Sequence, residues 1–260
     1  MILSENPKIS IITVSYNSAE TIEDTIRSVL AQDYSNIQYI IIDGGSVDGT
    51  MDIVERYKKD IDILVSEPDK GIYDAMNKGI DNASGDIVGI LNSDDLYAHK
   101  KVISRVAKKM SENNAKALYA DLLYVDRINL NKVKRCWVSG PFSVRSFMRG
   151  WMPPHPTFFT LKTCYDHYGK YNLRLKSAAD YELMLRFLYK NKIVPAYLPE
   201  VIIKMRVGGQ SNESITNRLK ANQEDKEAWT MNGLKPAWYT LKMKPIRKIS
   251  QFFKKPKKGA

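Results

Sequence analysis

Two aspartates, Asp94 and Asp95, stand side by side directly behind the unbroken apolar run Ile87-Val88-Gly89-Ile90-Leu91. Such a run reads as a strand buried on both faces. In open α/β folds the carboxyl ends of these strands form the ligand crevice. Adjacent carboxylates repel unless a cation or a hydrogen-bond network offsets the repulsion, and a hard divalent ion shared with phosphate oxygens would do so. Asn92-Ser93-Asp94-Asp95 is also sound turn and helix-cap chemistry. A second polar cluster, Asp43-Gly44-Gly45-Ser46-Val47-Asp48-Gly49-Thr50, follows the apolar run Tyr39-Ile40-Ile41-Ile42. Two such clusters at the ends of two buried strands point at one crevice.

The elements that must position these groups alternate through the first half of the chain. Strands are expected at Ile9–Val14, Ile37–Ile42, Ile61–Val65 and Ile87–Leu91, with helices at Ala19–Gln32, Asp48–Lys58 and Gly71–Asn82. The first helix gathers Ile22, Ile26, Val29 and Leu30 on one face, and Asp48 suits the cap of the second. Helices between short buried strands imply right-handed crossovers and a mainly parallel sheet. Beyond Asp95 a helix is expected over Ala98–Asn113. Antiparallel strands follow at Lys116–Val125 and Lys132–Val138, joined near Asn129 and Asn131. Gly150–Pro156 reads as a loop with bulky groups, then come a helix over Ala178–Tyr189, short strands at Val194–Leu198 and Val201–Met205, and a polar helix over Ser214–Trp229.

The 260 residues suit one large domain with an appendage. No apolar stretch approaches the ~20 residues that span a bilayer, and Met1–Pro7 is too short and polar for a leader. Cys136 and Cys164 form no metal or disulfide pattern, and His99, His155 and His167 are scattered. A reducing cytoplasm fits this usage. The net charge of +11 is concentrated: from Ala228 to Ala260 there are nine lysines or arginines and no carboxylate, leaving 31 basic against 29 acidic residues before them. That split argues against nucleic acid as a partner and for a tail that meets an anionic surface. A helix starting at Pro245 would put Ile246, Ile249 and Phe253 on one face, away from Arg247, Lys248, Lys254 and Lys255. Trp238 and Tyr239 would add interfacial anchors; the competing reading is a helix that caps the core.

Four motifs occur in order: Thr13-Val14-Ser15-Tyr16-Asn17, the Asp43–Thr50 cluster, Gly71-Ile72-Tyr73-Asp74-Ala75-Met76-Asn77-Lys78-Gly79, and Asn92-Ser93-Asp94-Asp95. Together they resemble the inverting family-two glycosyltransferases of GT-A fold, in particular the bacterial branch that builds capsule, exopolysaccharide and lipopolysaccharide. The resemblance covers roughly residues 8–230. It implies an α/β fold with a helix-flanked, mainly parallel sheet. Residues 1–125 would form the nucleotide-sugar-binding half, 126–230 the acceptor-binding and catalytic half of the same domain, and 231–260 a basic amphipathic helical tail. It also implies a nucleotide-sugar donor, usually a UDP-sugar, a glycan or lipid-linked glycan acceptor, and Mg²⁺ or Mn²⁺. The enzyme would then be cytoplasmic and peripheral at the inner face of the bacterial membrane.

Carried over position by position, the resemblance puts Thr13 and Tyr16 at the nucleobase and Asp43 on the base or ribose, where a carboxylate accepts N–H or O–H groups. Asp94 would reach the ribose and Asp95 the metal, with Lys70 and Asn77 near the sugar or diphosphate. Asp180, in Ala178-Ala179-Asp180-Tyr181-Glu182, matches the base that takes the acceptor proton. The preceding acid common in the family is here Ala179, and Glu182 is the weaker alternative. Trp151 and His155, in Trp151–Thr157, match an acceptor-side loop, and Arg206 a diphosphate clamp. Relatives often carry a metal-binding histidine near Lys204–Ser211, and this chain has none there. A nucleotide-dependent oxidoreductase would need a glycine-rich turn after the first strand, where Ser15-Tyr16-Asn17-Ser18-Ala19 has no glycine. A catalytically silent sugar-nucleotide binder is the remaining alternative.

Overall fold

The computed structural model describes residues 3–208, 215–249 and 251. Its first half is a parallel β/α unit. Strands β1 (Ile9–Ser15), β2 (Ile37–Asp43), β3 (Ile63–Ser66) and β4 (Ile87–Asn92) alternate with helices α1 (Ile22–Leu30), α2 (Thr50–Glu55) and α3 (Ile72–Asn82). The strands lie in the order β3-β2-β1-β4, all parallel. The apolar residues of β1 and β4, and those of β2 beyond Ile37, are buried because helices cover the sheet, while those of the edge strand β3 are half-buried. α3 turns Ala75, Met76, Gly79 and Ile80 inward. Gly79 lets it lie close to β1, since a Cβ there would stand 2.3 Å from Ile12 Cγ2. The predicted second helix is shorter than expected: α2 ends at Glu55, and Lys58–Asp60 form a separate 3-10 turn.

The second half is built differently. β5 (Asp95–Tyr97) leads to α4 (Val102–Glu112), β6 (Ala117–Val125), β7 (Val133–Trp137), α5 (Val144–Met148), β8 (Phe159–Leu161), α6 (Lys162–Tyr168), α7 (Ala179–Met184), a π-helical turn Leu185–Lys190 and β9 (Ala196–Arg206). The whole sheet runs β3-β2-β1-β4-β8-β6-β9-β5, with β7 beside β6. Among the described residues, β8 is antiparallel to both β4 and β6, β7 to β6 and β5 to β9. Only β6–β9 continues the parallel pattern. Parallel pairing thus still carries most of the sheet, as expected, with the antiparallel β6–β7 pair also expected and the antiparallel β5 and β8 added. The switch falls at Gly89, where a Cβ would collide with the Phe159 ring at 2.3 Å, so a missing side chain lets β8 dock on β4. The two strands expected at Val194–Leu198 and Val201–Met205 are one strand, with shifts of register against β6 between Ala120 and Leu122.

Helices α8 (Ile215–Met231) and α9 (Thr240–Ile249) close the described chain. Trp229 of α8 is fully buried and its indole N–H donates to Tyr181 Oη at 2.9 Å. α9 starts five residues before Pro245, which lies inside the helix. Thr240 Oγ1 donates to the Met148 carbonyl at 2.6 Å, and Lys244 Nζ sits 2.6 and 2.7 Å from the two carboxylate oxygens of Asp225. The near face of α9 thus covers the fold, while Trp238 and Ile246 stay 82% and 53% exposed. Phe253, Lys254 and Lys255, expected on the tail helix, lie outside the described residues.

Candidate active site

The loops after β1, β2 and β4 meet at the carboxyl edge of the parallel unit. Ser15 Oγ and Ser46 Oγ donate to Asp43 Oδ1 (3.1 and 2.5 Å), while Gly45 N, Ser46 N and Ser66 Oγ donate to Oδ2 (3.0, 2.9 and 2.8 Å). Burial pushes the Asp43 carboxyl up, but the serine hydrogen bonds outweigh it and hold the group below the ordinary carboxylate range. Five donors therefore spend Asp43 on folding its own loop, where the sequence pointed to a base or ribose contact. Asp48 accepts from Thr50 N and Oγ1 from one residue outside the N-cap of α2, which is Gly49 and not Asp48 as expected. Asn17, at φ +48, donates its N–H to Ser46 Oγ and accepts from Val47 N on its side-chain oxygen, knitting the two loops. Tyr16 is 56% exposed at the mouth. Thr13 is fully buried and shares its hydroxyl with Tyr39 Oη at 3.2 Å, so it lies beneath the site, not in its wall. Tyr16 and Asp69 converge over Gly44, where a Cβ would lie 3.4 Å from the Tyr16 ring and 2.5 Å from Asp69 Oδ2. Nothing in the sequence pattern singled out Asp69.

The acidic pair adjoins this loop system. Ser18 Oγ and Ser93 Oγ are 2.7 Å apart, and Thr25 Oγ1 reaches the carbonyls of Ser93 and Asp95 at 2.9 and 2.7 Å. Asp95 is fully buried on β5. Its Oδ1 and the Asn92 Oδ1 are buried with no hydrogen-bond partner, and Asn92 Nδ2 stands a long 3.5 Å from Asp95 Oδ2. Burial, then the neighbouring Asp94 charge, pushes the Asp95 carboxyl well above its ordinary value, against Arg206. Burial also raises Asp94, opposed by Arg206 and Arg127. An oxygen-only, anionic and under-satisfied pair is the donor chemistry a hard divalent cation takes. Among the described residues no third histidine, cysteine or carboxylate completes a cluster.

Arg206 does not stand in the crevice. It is 3% exposed, and its guanidinium donates to the Arg127 carbonyl (3.1 Å), the Asp94 carbonyl (3.0 Å) and the Asp24 carboxylate. It anchors the backbone of the acidic pair, so the diphosphate clamp read from its position is corrected. Asn77 is likewise committed: its side chain pairs both ways with the Tyr171 backbone, at 2.9 Å each. That clamp replaces the donor contact expected of it. Lys70 is exposed and lines a shallow groove with Tyr73, Leu175 and Lys176.

Asp180 lies in the first turn of α7, partly exposed. Tyr73 Oη donates to its Oδ1 at 3.2 Å, and the Tyr73 ring stacks on Tyr171 (centroids 5.6 Å, interplanar 19°). Tyr171 Oη is 2.7 Å from His155 Nε2. His155 therefore stands behind the tyrosine pair; burial lowers its pKa, against the pull of Asp180. Glu182, the rival base, is buried and bound to Arg186 and Asn232. Trp151, expected as a sugar platform, is only 6% exposed. Its N–H donates to the Ser139 carbonyl at 3.0 Å and its ring meets Phe147 and Tyr119 edge-on, so it is a core residue. α3 is the bridge of the site, with Tyr73 reaching Asp180 and Asn77 tying in the Tyr171 segment.

This mixed sheet, with loops gathered at the ends of β1, β2 and β4, defines a GT-A type of fold. The chain aligns over 94% of its length with the UDP complex of Staphylococcus aureus TarS at 20% identity and a TM-score of 0.69, covering 72% of that chain. It aligns over 92% with a Pyrobaculum calidifontis mannosyltransferase in complex with GDP-Man and Mn²⁺, at 19% identity and a TM-score of 0.65, covering 69% of that chain. The sequence model of glycosyl transferase family 2 matches residues 10–164. An uncharacterized glycosyltransferase of Mycobacterium tuberculosis is 34% identical over 186 residues, 71% of this chain and 70% of that protein. A PGL/p-HBAD biosynthesis glycosyltransferase of Mycobacterium bovis is 29% identical over 210 residues, 79% of this chain and 80% of that protein. The chain belongs to glycosyl transferase family 2.

Proposed function

We propose that this protein transfers one sugar, with inversion, from a nucleotide-diphosphate donor, a UDP-sugar, to a hydroxyl of a lipid-linked saccharide in the assembly of a surface polysaccharide. The buried, unpartnered Asp95 oxygen beside Asp94 carries this reading. Support also comes from the relatives named for PGL/p-HBAD and, in Bacillus subtilis TuaG, for teichuronic acid biosynthesis, and from neighbours solved with UDP, UDP-GlcNAc and GDP-Man. Asp95, with Asp94, would hold Mg²⁺ or Mn²⁺, which when bound supplies positive charge to a leaving diphosphate. Tyr16 offers an aromatic face to the nucleobase, and Lys70 lies where an extended diphosphate-sugar could meet it. Asp180, held by Tyr73, takes the proton of the attacking hydroxyl. The new bond joins the acceptor oxygen to the anomeric carbon, while the electron pair of the broken bond leaves on the nucleoside diphosphate.

The outward face of α9 supports a peripheral position at the cytoplasmic side of an anionic membrane. Exposed Trp238, Tyr239 and Ile246 neighbour Lys242 and Arg247 in a segment without carboxylates. The test of the reaction is a panel of UDP-, GDP- and dTDP-sugars, scored for thermal stabilisation with and without Mn²⁺ and for transfer to bacterial membrane lipids. One nucleotide class should stabilise in a metal-dependent way. Asp180→Asn should keep that stabilisation and lose transfer by about 10²–10⁴-fold, the usual worth of a general base. No response to any nucleotide would sink the reading; full transfer by Asp180→Asn would remove Asp180 from it.

A further inference from the structure

α7 lacks a cap of its own. Its N-cap residue is Ala178, which has no side chain to receive the free amides of the first turn. The backbone amides that lead into the helix, ending at the N-cap itself, converge instead on a residue 46 to 48 positions further along the sequence. Glu224 of α8 accepts from three successive backbone N–H groups, Lys176 (3.1 Å), Ser177 (2.7 Å) and Ala178 (3.0 Å). Successive amides aimed at one point form an anion-binding concavity, and a negative charge at a helix N-terminus is favoured by the helix dipole. Asp180 follows two residues later. α8 and the residue just after it hold the next residues of α7: Trp229 donates to Tyr181 Oη at 2.9 Å, and Asn232 to Glu182 Oε1 at 3.0 Å. α9 steadies this arrangement through Lys244, which pairs with Asp225 and lies 3.9 Å over the Tyr181 ring. The family match ends at residue 164, before all of these groups.

We propose that Glu224 is a positioning residue for the Asp180 base. It fixes the backbone that carries Asp180, as Tyr73 fixes the carboxylate itself. The proposal rests on the reading of Asp180 as the base. Glu224 touches no reacting atom in this scheme; it sets where the Asp180 oxygens stand. A misplacement of about 1 Å costs on the order of 10²-fold in turnover.

The test compares Glu224→Ala, Glu224→Gln and, as a same-helix control, Glu227→Ala, using the full chain and the donor selected by the nucleotide-sugar panel. Glu224→Ala should lower kcat about 100-fold with donor KM and Mn²⁺–UDP binding unchanged. Glu224→Gln, which keeps one acceptor oxygen, should fall between it and wild type, and Glu227→Ala should match wild type. Amide exchange at Lys176, Ser177 and Ala178 should accelerate in Glu224→Ala while the rest of the sheet stays protected. Unchanged exchange at those three amides, or unchanged kcat in both Glu224 variants, would overturn the proposal. Should Glu224→Ala fail to fold, Glu224→Gln decides by the same two readouts. Asp180→Asn separates the two ideas. If it transfers normally, the base assignment fails and the positioning role with it. If it is inactive while Glu224→Ala retains full kcat, the positioning role alone fails.

Discussion

Replacing Asp95 with asparagine should make the ligand-free protein more stable and leave it unable to gain stability from Mn²⁺ and UDP. Asp95 is fully buried, and two oxygens at this point, its own Oδ1 and that of Asn92, lack partners. A buried acceptor left unsatisfied costs about 1–3 kcal/mol, more if charged. The amide of asparagine removes the carboxylate charge and brings an N–H donor to the unpartnered Asn92 Oδ1, at nearly unchanged volume. Relief of about 1–3 kcal/mol would raise Tm by roughly 2–10 °C for a domain of this size. The pH dependence has a definite sign. Burial and Asp94 raise the folded-state pKa of Asp95 above the ordinary 3.8, so the folded state binds that proton more tightly than the unfolded chain. The ligand-free protein keeps the benefit at acid pH and loses it as pH climbs from about the ordinary value through the raised one. The variant's advantage should therefore be small near pH 4 and grow as the pH rises. With Mn²⁺ and UDP at about 1,000 times their Kd, wild type gains about 4.1 kcal/mol, and the order of stability reverses. Differential scanning fluorimetry at several pH values, with and without Mn²⁺–UDP, reads all of this. A variant less stable than wild type without ligand, or still stabilised by the pair, would refute the reasoning.

Trp151→Ala should cost about 3–5 kcal/mol of stability, as expected for deleting a buried aromatic ring, measured as a fall in the urea midpoint; unchanged stability with a raised acceptor KM would return Trp151 to the acceptor loop. Arg206→Lys cannot reproduce the three-way hold on Arg127, Asp94 and Asp24. It should lose about 1–3 kcal/mol by the same assay; a variant of full stability with weakened donor binding would mean that the guanidinium meets the ligand. Trp238→Glu changes a side chain 82% exposed, so Tm should hold while co-sedimentation with anionic vesicles drops; undiminished sedimentation would reject α9 as a membrane contact.

Half of this architecture could be read from side-chain pattern alone. The runs that became β1, β2 and β4 are mostly apolar on both faces, the pattern of strands in a covered parallel sheet. β5 and β8 have three residues each, too few to display a period, so their antiparallel pairings stayed hidden, whereas the β6–β7 pair was legible. The positions of the acidic pair and of Asp180 were legible because a strand end and a first helical turn are set locally. Arg206, Asn77 and Trp151 were misplaced for the opposite reason. Their partners lie far along the chain: Asp94 and Asp24 for Arg206, the Tyr171 backbone for Asn77, and Phe147 with Tyr119 for Trp151. Residue type alone cannot tell a guanidinium that grips a phosphate from one that grips a carbonyl. Asp43 marks a third case. Its place at the strand end was read correctly, yet whether its oxygens remain open depended on Ser15, Ser46 and Ser66 converging on them.

The pairing of Asp95 with Met205 on β9 has a consequence for biogenesis. β5 leaves the ribosome early, but its strand partner is still more than a hundred codons away. At ordinary translation rates of about 5–20 residues per second, that segment waits on the order of 5–20 seconds for its neighbour. β8 must meanwhile enter between β4 and β6. A nascent chain truncated before β9 would carry the two aspartates with no sheet edge to hold them, so the ability to handle sugar nucleotides would be acquired only near the completion of synthesis.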